Sequence, residues 1–176
     1  PEVVYEIGLV LGTWAREKGI ESFCVGRDGR TSGPELSAAL MKGVAAAGTL
    51  VIDIGMVPTP VLYFATNYFK NGTGVAVTGS HNPPEWNGLK MMVAGVTLFA
   101  DKIQDIRRRA EAGDWITAEK PGEVEVIDAV DPYIEKALSG IKIERRLKVV
   151  ADAGNGIGGP TMLALFSRVD VDLIPL

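Results

Sequence analysis

The sequence is poor in the residues that most often carry covalent or metal chemistry: 176 residues hold a single cysteine and a single histidine. One cysteine cannot staple the fold internally. Cys24 lies in the apolar run Phe23-Cys24-Val25 and reads as a core residue of a protein kept in a reducing compartment, which leads to an expectation of the cytoplasm. No stretch of about 18 apolar residues exists, so no membrane span is expected. The N-terminal Pro1-Glu2-Val3-Val4-Tyr5-Glu6 has neither the basic region nor the cleavage site of a signal peptide. Positive charge is not in excess: 18 Lys and Arg stand against 22 Asp and Glu, for a net charge of −4, which argues against nucleic acid as a partner. A small anionic ligand stays open, because a few placed cations and backbone N–H groups suffice to hold one. Internal repeats and low-complexity tracts are absent. There is no initiator methionine, and Leu176 closes what reads as a strand, so the chain reads as a piece of a longer protein.

What is present is ordinary for a globular α/β protein: 47% hydrophobic and 23% charged residues. Apolar positions at Val3, Val4, Ile7, Leu11, Trp14 and Ala15 follow helical spacing over 3–17, with Lys18-Gly19 as a stop. A short buried strand over 22–25 leads into the polar turn Gly26-Arg27-Asp28-Gly29-Arg30. Ser32-Gly33-Pro34-Glu35 matches a capping box and opens a helix that runs through Ala47 and stops at Gly48. A strand over 50–54 follows. Thr59-Pro60, read as N-cap and first helical position, opens a helix to about Phe69. Strands are expected over 74–77 and, after the turn Asn87-Gly88, over 89–93. Residues 100–112 form an amphipathic helix whose Arg107-Arg108-Arg109 reads as a solvated face. Residues 113–125, rich in Gly, Pro and charge, read as a linker.

The remainder reads as a second unit: helix over 131–138, strand over 147–151, helix over 159–167, strand over 171–175. Alternation of strands with helices implies α/β architecture. The expected division is therefore a first domain at 1–125 and the truncated beginning of a second at 126–176.

The segment Val77-Thr78-Gly79-Ser80-His81-Asn82-Pro83-Pro84-Glu85-Trp86-Asn87-Gly88-Leu89-Lys90 connects two apolar strands, where a short and bland link would suffice. Instead it holds a hydroxyl, the lone histidine, an amide and two prolines. Gly79 permits close backbone approach, and the prolines stiffen the loop. A serine held this way could be presented rigidly to a ligand, as group transfer requires. On pattern alone, a hairpin-like connection with an incidental serine fits equally well. A serine-hydrolase reading is weak: Ser80 and His81 are sequence neighbours, whereas triad members converge from separate segments, and there is no G-x-S-x-G elbow. Gly154-Asn155-Gly156-Ile157-Gly158-Gly159 offers a competing signal. It satisfies G-x-G-x-x-G between a strand and a helix, with Asp170 or Asp172 as possible ribose acids, and would suit a dinucleotide-binding module. The alternative for that stretch is a glycine turn allowing tight strand–helix packing.

Thr78-Gly79-Ser80-His81-Asn82-Pro83-Pro84 followed by Asn87-Gly88-Leu89-Lys90 resembles the active-site serine loop of the α-D-phosphohexomutase superfamily, in particular its phosphomannomutase/phosphoglucomutase branch. Three further segments agree in order and spacing: Val25-Gly26-Arg27-Asp28-Gly29-Arg30-Thr31-Ser32-Gly33-Pro34, Gly55-Met56-Val57-Pro58-Thr59-Pro60, and Asp152-Ala153-Gly154-Asn155-Gly156. The resemblance spans nearly the whole chain. It implies a mixed sheet sandwiched between helices for the first domain and the start of a similar α/β domain after it.

By that resemblance, the activity is interconversion of hexose 1-phosphate and 6-phosphate through a phosphoserine enzyme and a 1,6-bisphosphate. Ser80 matches the phosphoserine, and Lys90 a lysine implicated in proton transfer and charge stabilisation; otherwise Lys90 is a strand-end lysine lying along apolar surface. His81 and Asn82 match residues that contact substrate or position the phosphoserine. Arg27 is a candidate for an electropositive rim, and Arg30 reads rather as part of a turn held by Asp28. The resemblance also implies one Mg²⁺, bound here only through a phosphate oxygen on Ser80, with its remaining ligands outside this chain. Glucose or mannose 1,6-bisphosphate is implied as activator, hexose phosphate as substrate, and a monomer is the expected state. Gly79 and the Pro83-Pro84 pair weigh against phosphoglucosamine mutase, the nearest alternative in the superfamily. The superfamily's metal loop, sugar-recognition loop and distal phosphate site fall outside these residues, so this chain alone is expected to be inactive.

Overall fold

The computed structural model describes all 176 residues. Its first part is a six-stranded mixed sheet between two helical layers, in the order β5-β4-β3-β1-β2-β6. The strands are β1 (Ser22–Arg27), β2 (Leu50–Met56), β3 (Gly74–Val77), β4 (Leu89–Val93), β5 (Val96–Thr97) and β6 (Val124–Val126). The helices are α1 (Glu2–Glu17), α2 (Gly33–Ala46), α3 (Thr59–Tyr68), α4 (Asp101–Ala112) and α5 (Val130–Leu138). β1 runs parallel to β2 and β3, and β2 parallel to β6, while β3-β4 and β4-β5 are antiparallel. The expected sandwich of a mixed sheet between helices is the observed fold.

Alternation along the strands divides the core in two. Phe23 and Val25 of β1 face α1, α2 and α4, together with Val51, Val75, Val77 and Met91. Cys24, between them, faces the opposite way and packs with Ile52, Ile54, Ala76 and the apolar side of α3. A central strand covered on both faces reads as a continuous apolar run, which is why Phe23-Cys24-Val25 showed no period of two. Complete burial of each large apolar chain, such as Phe23 or Leu40, contributes about 1.5–3 kcal/mol. α1 and α2 cross closely enough that a Cβ on Gly43 would stand 2.1 Å from the Tyr5 carbonyl oxygen.

Several expectations need correction. β1 continues to Arg27 because Gly26 and Arg27 pair with Ala76 and Val77. The capping box at Ser32 is not formed: Ser32 makes no cap bond, and its hydroxyl accepts from Asn87 Nδ2 at 2.9 Å. Pro58, not Thr59, is the N-cap of α3.

Residues 113–125 are not a free linker. Ile116, Ala118 and Gly122 donate backbone N–H bonds to Thr13 Oγ1, the Ala46 carbonyl and the Ala45 carbonyl, so the segment is strapped over α1 and α2 before β6 joins the sheet. A division at 125/126 would cut β6. α5, assigned by sequence to the second unit, packs on the first, with Ala129 and Ile134 fully buried and Tyr133 edge-on to Phe64. These contacts join residues far apart in sequence, and no local pattern encodes them.

The remaining elements are β7 (Leu147–Ala151), α6 (Gly158–Phe166) and β8 (Val171–Pro175), with β7 and β8 parallel. No residue of α6 is buried. An ion pair from Arg168 to Asp131 at 2.5 Å links this unit to α5.

Candidate active site

The central strands β1 and β3 run parallel and neighbouring, so their C-terminal ends deliver Asp28 and Thr78 to the same end of the sheet. Thr78 Oγ1 donates to Asp28 Oδ2 at 2.7 Å and accepts the Ser80 backbone N–H at 2.9 Å. Asp28 Oδ1 accepts the Arg30 backbone N–H at 3.1 Å, closing the turn, and Asp28 Oδ2 also takes Arg30 Nε at 3.2 Å. Asn87 is held as well: its Nδ2 donates to Ser32 Oγ at 2.9 Å, and its Oδ1 accepts the Gly88 N–H at 2.8 Å.

Ser80 has φ of +55°, in the left-handed region. For a residue with a Cβ this costs about 1–2 kcal/mol, and it persists only where the surroundings enforce it. The enforcement is visible on both sides of the residue. Its N–H is tied to Thr78, and its carbonyl oxygen accepts from Arg30 Nη2 at 3.0 Å. The side chain is exposed, with Oγ 3.1 Å from His81 Nδ1.

Ser80 opens on a cleft of about 300 Å³ that also takes in His81, Lys90 and Thr78. Lys90 reaches it from β4, where it pairs with Ala76 of β3. The first turn of α3 and residues Gly156 to Gly158 at the start of α6 complete its border. Two helix N-termini therefore border the cleft. The positive ends of their dipoles favour an anion, as does the Lys90 ammonium. A second hollow, of about 490 Å³, lies on the Asn82 side of Ser80 and is bordered by Asn155.

Of the residues singled out by sequence, Ser80, His81 and Lys90 share the first cleft, and Asn82 stands on the second. Arg27 does not join them. It follows Val25 by two residues, so its side chain emerges on the α1–α2 side of the sheet; there it lies against Gly33 and contacts the Asp28 carbonyl at 3.4 Å. Arg30, read as a turn residue, does pair with Asp28, but it also reaches across to the serine loop. That reach, and the Asp28–Thr78 bond, escaped the sequence because about 50 residues separate the partners; the shared strand ends of β1 and β3 were the available signal.

A divalent metal does not fit the residues of this chain alone. No three acidic, histidine or cysteine side chains converge, and the one carboxylate at the site, Asp28, is engaged by Thr78 and Arg30. The Gly154-to-Gly159 turn, the competing dinucleotide signal, abuts the Ser80 cleft through Gly156 to Gly158.

Residues 1–117 match the family described as phosphoglucomutase/phosphomannomutase, alpha/beta/alpha domain I. The phosphomannomutase/phosphoglucomutase of Pseudomonas aeruginosa is 43% identical over 175 residues, which is 99% of this chain and 37% of that protein. A phosphoglucomutase of Neisseria gonorrhoeae is 42% identical over 158 residues, 90% of this chain and 34% of that protein. A crystal structure of a phosphoglucomutase/phosphomannomutase family protein from Burkholderia thailandensis superposes with a TM-score of 0.90 at 40% identity, covering 99% of this chain and 39% of that one. The chain thus spans a little over a third of the length of these relatives. A family match that covers the serine loop, on a sheet shared with these relatives, marks the chain as a member of the phosphoglucomutase/phosphomannomutase family.

Proposed function

We propose that the chain is the serine-bearing part of a phosphohexomutase that interconverts the 1-phosphate and 6-phosphate of glucose, mannose or both, with Ser80 as the phosphoryl carrier. The observation that carries this reading is Ser80 held at φ +55° at the mouth of an anion-favouring cleft. The relatives' names supply the substrate class.

In the forward half-reaction, the bond from phosphorus to Ser80 Oγ breaks and one to a sugar hydroxyl oxygen forms. The sugar hydroxyl gives up its proton, and Ser80 Oγ takes one. The resulting 1,6-bisphosphate returns its other phosphoryl group to Ser80 by the reverse exchange. His81, at hydrogen-bond distance from Oγ, and Lys90 supply the nearby groups able to carry protons and to balance the charge of about −2 that a phosphoserine brings. Asn82 is assigned to positioning or substrate contact. Mg²⁺ would neutralise charge on the transferring group. Its ligands other than a phosphoserine oxygen would have to come from residues outside this chain, which by itself would be inactive. No helix is long and apolar enough to cross a membrane, and the buried thiol suits a reducing compartment such as the cytoplasm. A monomer is proposed.

The test is intact-mass spectrometry of the full-length protein after incubation with glucose 1,6-bisphosphate. One added phosphoryl group, absent from Ser80→Ala, is expected. Failure of the wild type to take up phosphate would refute the reading. A panel of glucose, mannose and glucosamine 1-phosphates then separates this branch from phosphoglucosamine mutase.

A further inference from the structure

We propose that Arg30 is the positioning residue for Ser80, acting through the backbone of the serine loop and not on the phosphate. A guanidinium has five N–H donors in a fixed planar fork. Nε goes to Asp28 Oδ2. Nη1 donates to the carbonyl oxygens of Pro83 at 2.7 Å and Trp86 at 2.9 Å, and Nη2 to those of Ser80 at 3.0 Å and Asn82 at 2.8 Å. Four carbonyls of one loop therefore converge on one cation. All five donors are occupied, so none remains for a substrate or phosphoserine oxygen. A cation beside a phosphoryl site would ordinarily be taken as a phosphate ligand; here its hydrogen bonds are already committed.

The arrangement explains the conformation of the loop. Carbonyl oxygens turned toward one point repel one another, and a loop of 80–86 without a central cation would turn them out to water. With Arg30 in place, Ser80 C=O is directed inward while its N–H is held by Thr78, and the intervening φ is driven into the left-handed region. Oγ is thereby aimed at the cleft shared with His81 and Lys90. The ion pair is largely buried, with side-chain exposures of 13% for Arg30 and 16% for Asp28, so Asp28 fixes the guanidinium from behind. Gly79 completes the fit: a Cβ there would lie 2.5 Å from the Arg30 guanidinium carbon and 2.7 Å from the Trp86 carbonyl oxygen. A lysine at position 30 would keep the charge. It would offer three donors from a point, however, and could not span four carbonyls and a carboxylate.

This inference rests on Ser80 being the phosphoryl carrier, and the experiment keeps the two apart. The full-length wild type, Arg30→Lys, Arg30→Ala and, as control, Arg107→Ala on the exposed side of α4 are each incubated with glucose 1,6-bisphosphate. Phosphoryl uptake is followed by rapid-quench intact mass across a range of bisphosphate concentrations. Wild-type uptake validates the carrier reading, and its absence refutes that reading and the inference with it. With uptake in the wild type and control, the saturating rate is expected to fall about 10²-fold in Arg30→Lys, as for a misplaced reacting group. The half-saturating concentration should stay within about twofold, because Arg30 does not touch the ligand. Guanidinium ion added to Arg30→Ala is expected to restore part of the rate where an equal concentration of potassium does not. Wild-type uptake in folded Arg30→Lys, or a loss confined to the half-saturating concentration, would overturn the proposal. Should Arg30→Ala fail to fold, Arg30→Lys and its concentration dependence decide alone.

Discussion

Thr78 Oγ1 donates to Asp28 Oδ2 at 2.7 Å across the ends of two parallel strands, and the same oxygen accepts the N–H of Ser80. One hydroxyl thus ties the serine's backbone to the carboxylate that orients Arg30. Thr78→Val keeps the shape and removes both bonds. It should lower stability by about 1–2 kcal/mol, the cost of leaving the Ser80 N–H and Asp28 without this partner, and slow phosphoryl uptake by Ser80. Thr78→Ser keeps the hydroxyl and should preserve uptake. Urea unfolding and mass-monitored phosphorylation of both variants check this, and equal uptake in Thr78→Val would argue against it.

Lys90 stands on β4 with its side chain exposed at the cleft. Lys90→Met should leave stability within about 0.5 kcal/mol, as expected for an exposed side chain. Phosphoryl transfer should fall by about 10²-fold, the usual consequence of removing one charge-stabilising donor. Thermal unfolding and the uptake assay measure the two effects separately. A large stability loss with unchanged transfer would return Lys90 to a structural role.

Gly43 of α2 has its would-be Cβ 2.1 Å from the Tyr5 carbonyl oxygen and 2.9 Å from the Leu9 nitrogen of α1. Alanine normally gains about 1 kcal/mol over glycine inside a helix. Overpacking against rigid backbone costs about 1–3 kcal/mol, and both contacts here are main-chain atoms, so the loss should win. Gly43→Ala is expected to destabilise by at least about 1 kcal/mol in urea. Gly140→Ala, with nothing within 4 Å, serves as the comparison.

Burial pushes the Cys24 thiol up to about 11, against a smaller opposing contribution from Asn71. The folded protein therefore keeps this proton more tightly than the unfolded chain does. The resulting stabilisation is complete below the unfolded value near 9 and is lost as pH rises from there through about 11. A shift of this size corresponds to about 2–3 kcal/mol. Cys24→Ala should begin less stable at pH 7 because of the cavity, yet lose less between pH 9 and 11 than the wild type. Parallel urea titrations across that range measure the difference. In the folded wild type, a thiol reagent should modify Cys24 only as fast as the protein opens.

The helices over 3–17 and 100–112 were legible from apolar spacing, and the strand at Phe23-Cys24-Val25 from its unbroken apolarity. These features arise from residues a few positions apart, where covalent geometry decides which side chains share a face. The β6 edge strand was not legible. Val124-Glu125-Val126 is short and largely exposed, and it becomes a strand only because β2 offers it a parallel neighbour. Ser32 shows the same limit in miniature: its local pattern favoured a cap, and Asn87, 55 residues away, engaged its hydroxyl instead.

At the candidate site, sequence by itself determined which chemical groups are available: a hydroxyl at Ser80, an imidazole at His81, an amide at Asn82 and an ammonium at Lys90, all on one loop and the strand after it. Tertiary structure alone decided which arginine reaches the serine loop. Arg27 and Arg30 are three residues apart on one turn, and their side chains leave it on different sides. The pleat carries Arg27 to the α1–α2 face, whereas the turn closed by Asp28 aims Arg30 at four carbonyls of the serine loop. That outcome depends on β1 and β3 lying side by side, a long-range pairing that no local run of residues specifies.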